Sequence, residues 1–262
     1  MTAPSAQTAP DTILLDTHCH LTEYDDAINV LRQASEASVH VVAVTEDPGQ
    51  YRILRTKLGR REGVTCAIGM HPLHAHTFSP AEIARFLRLL PHASWVGEIG
   101  LDFSPAGRDT RRQQLRVFDA ILTDPHLNSV PVTVHSRGAE QETITRLADA
   151  QVTAVLHWYT GPLKFIDDAL AANLWFSINP AMVATTKGRA LLNRLPRNRV
   201  LLETDGPFAR HQRRSSQPKD LLWVAGQIAA IWDLPIPQTI AFIQANQERL
   251  IAAGKPAMPR RE

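Results

Sequence analysis

Ile13-Leu14-Leu15-Asp16-Thr17-His18-Cys19-His20 begins as an apolar run and turns polar in alternation, the pattern of a buried strand reaching the end of a sheet. Side chains two residues apart on a strand share a face, so Asp16, His18 and His20 are expected to point the same way. A carboxylate and two imidazoles converging at a strand end match the ligand preferences of a divalent ion such as zinc or manganese. The same stretch also fits a strand end capped by hydrogen-bonding histidines, and alone it does not separate the two readings.

The pattern recurs along the chain. Val39 to Thr45, Val64 to Gly69, Trp95 to Gly100, Val130 to His135, Thr153 to His157, Leu174 to Ile178 and Arg199 to Thr204 are further strand-like runs. Helical patterns lie between them. Ala27, Val30, Leu31 and Ala34 recur at helical spacing, and further helices are expected over Pro48 to Leu58, Thr110 to Leu122, Glu140 to Ala150, Leu163 to Ala172 and Gly188 to Leu195. Ser79-Pro80-Ala81-Glu82 is a capping box that opens a helix running to Leu90, and Leu221 to Trp232 and Pro237 to Ala252 close the chain. Strands alternating with helices predict an α/β fold, a parallel (β/α)8 TIM barrel in a single domain over residues 12–253. Residues 1–11 and 254–262 read as flexible tails. A doubly wound sheet would show a glycine-rich phosphate turn after its first strand, and the sequence has none there.

Composition narrows the function classes. The 262 residues are 44% hydrophobic, enough for a sizeable core, and 28 basic against 26 acidic residues leave a net charge of +2. Such a balance does not by itself mark a nucleic-acid binder, so an anionic substrate must be read from local sites. Two cysteines, Cys19 and Cys66, make neither a disulfide framework nor a cysteine-rich zinc site, which favours a reducing compartment. The first ten residues lack a secretory pattern, and no apolar run approaches the roughly 20 residues of a membrane span. A soluble, cytoplasmic protein is expected.

Catalytic groups in such barrels come from the C-terminal ends of several strands. The runs end in Asp16, His18 and His20; in His71; in Glu98; in His135-Ser136-Arg137; in His157; and in Glu203-Thr204-Asp205. Metal-type ligands at one rim from five strands predict a two-metal hydrolase. Gly97 and Gly100 would let other backbone or substrate approach Glu98. Asp16 is better cast as an orienting residue than as a ligand. Arg137 is placed as a phosphate clamp, a rim salt bridge being its bland alternative. His74 and His76 read as solvated loop histidines. Arg210-His211-Gln212-Arg213-Arg214 reads either as a basic lip along a nucleic-acid backbone or as a solvated loop. Trp158 and Tyr159 either stack on a base or pack the barrel.

Five stretches together carry a family resemblance. Asp16 to Leu21, Gly69-Met70-His71-Pro72, Gly97 to Asp102, Val134 to Arg137 and Glu203-Thr204-Asp205-Gly206-Pro207 resemble, in order, the motifs of the TatD family of metal-dependent deoxyribonucleases. The resemblance implies a TIM barrel that trims DNA, single-stranded or at its ends, in the 3′ to 5′ direction. It implies that His18, His20, Glu98 and Asp205 hold one divalent metal, and that Glu98 bridges to a second held by His135 and His157. Glu98 and Asp205 would be catalytic, and His71 would join Arg137 in binding substrate. Zinc, manganese and magnesium all remain open as the ion.

Departures from the family pattern occur at His157-Trp158-Tyr159-Thr160-Gly161, at Gly206-Pro207 and at Ser215-Ser216-Gln217-Pro218. Ser177 to Met182 with Gly206-Pro207-Phe208 resembles the TatD-like branch of bacterial Qat anti-phage defence systems, implying partner proteins. Two rivals stay open: a hydrolase of another substrate on the same barrel, such as aminoacyl-tRNA or a cyclic amide, and a metal-binding subunit with little activity alone.

Overall fold

The strand-like runs pair in chain order. In the computed structural model, which describes residues 13–253, β1 (Leu14–Cys19), β2 (Val39–Ala43) and β3 (Val64–Cys66) form one parallel sheet. A second is formed by β4 (Val96–Gly100), β5 (Val132–His135), β6 (Ala154–Leu156), β7 (Trp175–Ile178) and β8 (Val200–Leu202). Two seams join them. Ile68 bridges Val96, and the Gly97 N–H donates to the Ile68 carbonyl at 2.8 Å. On the other side, Thr17 Oγ1 donates to the Leu202 carbonyl at 2.9 Å and the Asp205 N–H to the His18 carbonyl at 2.8 Å. The sheet thus closes into the predicted barrel. The expected tails at 1–11 and 254–262 lie outside the described residues.

Local chemistry sets the helix starts. Asp26 caps α1 (Ala27–Glu36) by accepting from the Asn29 N–H, and Asp47 caps α2 (Pro48–Leu58) by accepting from Gly49 and Gln50. Ser79 caps α3 (Pro80–Leu89) through the Glu82 N–H, with proline in the first turn as predicted. α4 (Arg111–Leu122) turns Val117, Phe118 and Ile121 inward, and α5 (Glu140–Asp149) turns Ile144 and Leu147 inward. Elsewhere the helices differ from expectation. The pattern over 163–172 divides into a 3-10 turn, Leu163–Phe165, and α6 (Ile166–Ala171). Ahead of the helix expected near 188 stands a short α7 (Pro180–Val183), because Asn179 Oδ1 accepts from the Met182 N–H at 3.0 Å; α8 (Thr186–Arg194) follows. The loop after β8 contains a small hairpin, β9 (Arg210–His211) with β10 (Arg214–Ser215). α9 (Leu221–Trp232) and α10 (Ile236–Ala253) complete the described chain.

The barrel interior has an apolar floor. Leu15, Val42, Ala67, Trp95, Val155, Trp175 and Leu201 pack together there with Leu250 of α10. Side-chain amides fasten the helix to the strands: Gln247 Oε1 accepts from the Leu15 N–H at 3.1 Å, and Asn246 Nδ2 donates to the Val200 carbonyl at 2.7 Å. Strict alternation fails in β1, because Leu15 belongs to this floor while His18, three residues on, reaches the barrel mouth. A register shift between Asp16 and Cys19 accommodates both, and a second shift between Val96 and Ile99 falls at Glu98. No helix among the described residues is long and apolar enough to cross a membrane.

Candidate metal centre

The mouth is organised around the carboxylate of Glu98. Its Oε2 faces His18 Nε2 at 3.3 Å and His20 Nε2 at 3.2 Å, and both imidazole nitrogens lie 3.5 Å from Asp205 Oδ1. Its Oε1 faces His135 Nδ1 at 2.6 Å and His157 Nε2 at 2.8 Å. All six predicted ligand residues therefore meet around Glu98, with the His157 ring stacked on His18 at 3.9 Å. His71 Nε2 joins them 3.4 Å from Glu98 Oε2.

Backbone contacts set this geometry. Asp205 adopts a left-handed conformation, φ 46°, which aspartate tolerates better than most residues, and its N–H bond to His18 ties it to β1. Gly100, at φ 133°, passes so close to β5 that a Cβ there would lie 2.1 Å from the His135 carbonyl oxygen. A Cβ on Gly69 would lie 1.7 Å from the Thr45 carbonyl oxygen and 2.6 Å from the Glu98 nitrogen. The approach expected at Gly100 is thus an approach of backbone.

The residues present fit divalent ions. His18 and His20 point their Nε2 atoms at each other across 3.2 Å, and their Nδ1 atoms, with His157 Nδ1, are buried without a hydrogen-bond partner. Imidazole nitrogens and carboxylate oxygens aimed at common points are a cation's donor set. Proton affinities reflect the crowding. Burial, and then the charge of His157, press the His18 pKa down to about 3. Burial also acts on His20, but the Asp205 and Glu98 carboxylates outweigh it and push its pKa up to about 10. Two rings so close cannot both be charged, and an ion held at Nε2 would require both to be neutral. Burial would raise the Glu98 pKa, yet His71, His157 and His18 around it hold it well below the usual carboxylate range.

Behind the ligands stand residues to which the sequence reading assigned no role. Asp102 Oδ2 lies 2.9 Å from His135 Nε2, so the ring is gripped on both nitrogens. Burial opposes, but the bonds from His135 and Ser104 hold the Asp102 pKa down to about 2. Glu203 is buried beside His157, accepts from the Trp158 N–H at 2.8 Å and from Asn179 Nδ2 at 3.0 Å, and is also bonded by the Ser177 hydroxyl. Burial and the charge of Asp205 push its pKa well above the usual range. The signals for both were present: Asp102 ends the glycine-rich run that carries Glu98, and Glu203 precedes Asp205 by two. Asp16 touches neither imidazole. It accepts from the Thr204 N–H at 2.9 Å, from the Thr204 hydroxyl and from the His18 N–H, clamping β1 to the loop after β8. The register shift turns it to that seam, so it orients His18 through backbone alone.

A cavity of about 620 Å³ opens over the cluster, lined among others by His71, Arg137, Trp158 and Phe208. Arg137 is exposed, and its guanidinium makes no hydrogen bond or ion pair with a described residue, so the rim salt bridge is not what holds it. His74 lines the same cavity with its Nδ1 3.5 Å from Glu46 Oε2 and its side chain still 45% exposed, and His76 is exposed. The basic run after β8 is mostly consumed by its own hairpin. Arg214 forks onto Asp220 at 2.6 and 2.9 Å, Arg210 donates to the Arg213 carbonyl, and His211 is buried against Trp223. Tyr159 packs edge-on to Phe176 and donates to the Pro162 carbonyl, serving the barrel, while Trp158 lines the cavity.

Comparison with known proteins agrees with this geometry. The model of the family described as TatD related DNase matches residues 15–252. The human protein named Deoxyribonuclease TATDN3 is 30% identical over 261 residues, covering 90% of this chain and 94% of that one. An uncharacterized metal-dependent hydrolase of Bacillus subtilis, YabD, is 26% identical over 91% of this chain and 98% of its own. Among solved structures, the Escherichia coli TatD homologue YJJV shares the fold with a TM-score of 0.83 at 21% identity, covering 92% of this chain and 98% of that one. With a family match spanning the barrel and a buried imidazole–carboxylate cluster at its mouth, this chain belongs to the TatD related DNase family of metal-dependent hydrolases.

Proposed function

We propose that this chain hydrolyses DNA phosphodiester bonds with two divalent ions, releasing nucleotides from the 3′ end of single-stranded DNA or DNA ends. The carrying observation is the division of Glu98, whose Oε1 faces His135 and His157 while its Oε2 faces His18, His20 and His71. In this reading His18, His20, Glu98 and Asp205 would hold one ion, and Glu98, His135 and His157 the other; the donor atoms lie together as His18–His20–Asp205, His18–Glu98–His157 and His71–Glu98–His135. Zinc, manganese or magnesium ions bound there would acidify a water and neutralise charge developing on phosphate oxygens. The side chains do the rest. Asp205, open to the cavity, accepts the proton of the attacking water. Arg137 offers its unpaired guanidinium to the phosphate. His71 accepts the Leu73 N–H at Nδ1, 3.3 Å away, and its Nε2, beside Glu98 Oε2, is left to meet phosphate or leaving group in the cavity.

The test uses chelator-treated protein resupplied with each ion and given 5′-labelled single-stranded DNA. A ladder shortening from the 3′ end is expected. Folded Glu98→Gln and Asp205→Asn variants should lose more than the roughly 100-fold typical of changes behind a metal ligand. Digestion by either variant at the parent rate overturns the assignment. RNA, aminoacyl-tRNA and cyclic amides in the same assay decide between this reading and a hydrolase of another substrate. The branch resemblance suggests a cytoplasmic role in phage defence. Two of the residues that carry it, Ser177 and Asn179, bond Glu203 and so belong to the scaffold of the centre. Strong activity from the isolated chain would remove the metal-binding-subunit reading.

A further inference from the structure

We infer that Phe208 is a stacking platform for the nucleobase beside the scissile phosphate, an inference that rests on reading the centre as a nuclease. Phe208 is 52% exposed, yet it lines the cavity that holds His20, Asp205 and Arg137. Its ring centroid lies 4.8 Å from that of His20, at 75° between planes, so the edge-to-face contact fixes the ring against the metal-ligand cluster. The backbone on either side is pinned. The His20 N–H donates to the Gly206 carbonyl at 2.8 Å, the Ala209 N–H to the Asp205 carbonyl at 3.0 Å, and the Ser216 N–H to the Ala209 carbonyl at 2.9 Å. A ring held rigidly in an open cavity forgoes burial in its own protein and presents a ready apolar face.

The occupant follows from the neighbours. Arg137 and the imidazole–carboxylate cluster in the same cavity suit a phosphodiester, and the flat apolar group attached to a phosphodiester in DNA is a base. Every base has a π-face, so a phenyl platform accepts any of them and confers no sequence preference. Trp158 lines the same cavity with its backbone held by Glu203, a second rigid aromatic wall.

The experiment compares oligonucleotides whose 3′-terminal nucleotide carries a base with ones in which that nucleotide is abasic, using the metal-loaded full chain. Phe208→Ala should raise KM about 10-fold on the base-bearing substrate, with kcat and the abasic kinetics within about twofold of the parent's. Phe208→Tyr should match the parent on both. Unchanged KM in Phe208→Ala, or an equal loss on both substrates, overturns the platform. A parent protein that cleaves neither substrate overturns the nuclease reading and the platform with it.

Discussion

The floor and the mouth of the barrel are built from the same strands and have opposite chemistry. At the floor, Leu15, Trp95, Trp175 and Leu201 meet one another and Leu250, and the polar groups nearby are backbone amides and carbonyls taken up by Asn246 and Gln247. At the mouth, Glu98 is ringed by His18, His20, His71, His135 and His157, and three buried ring nitrogens lack any protein partner. The floor is apolar apart from the unpartnered Trp175 Nε1, whereas the mouth gathers imidazole and carboxylate donors that could hold a cation. Stability is thus concentrated at one end of the strands and reactivity at the other, as closure of a parallel barrel permits.

Variants can break this division. The largest effect expected is the loss of turnover in Glu98→Gln described above. At the floor, Leu250→Ala should cost about 2–5 kcal/mol in chemical denaturation, as cavity-forming substitutions do, while leaving metal affinity near the parent's. Metal loss accompanying that destabilisation would show that the two ends are coupled. At the mouth, Asp102→Asn removes the carboxylate behind His135 and, under the two-ion proposal, should weaken an ion held by His135 and His157 by about 10–100-fold in chelator competition. Equal weakening at both ion positions would mean that Glu98 transmits the change.

The smallest effect concerns pH. His40, bonded to Thr65 at 2.8 Å beside Leu15 and Trp95, has a pKa lowered from 6.5 by burial. Its neutral form is favoured in the fold, so this contribution to stability is full above pH 6.5 and is lost as pH falls through the lowered folded pKa. Denaturant midpoints of His40→Gln should decline less than the parent's across that acid range. An identical decline would assign the pH dependence to the mouth histidines instead.

Much of the centre was legible because strand ends announce themselves locally. His18, His20, Glu98, His135, His157 and Asp205 each follow an apolar run, and that punctuation requires no knowledge of pairing. Asp102 and Glu203 were less legible because their work is defined by a partner on another strand: His135 for one, Ser177, Asn179 and the Trp158 N–H for the other. His74 and Phe208 sit in loops, where sequence pattern says little about which way a side chain faces. The arginines of the hairpin after β8 resembled a nucleic-acid lip by charge alone, and Asp220, six residues beyond Arg214, takes up one of them.

The sequence by itself determined which segments are strands and helices and which residue types stand at the strand ends, since periodicity and capping are short-range properties. The tertiary structure decided how those ends meet. Register shifts in β1 and β4 bring His18 and Glu98 to the mouth, and the Asp205–His18 backbone bond closes the last seam over the first. Asp16 illustrates the division: its place beside His18 was readable, but its bond to Thr204, 188 residues away, exists only because the barrel closes.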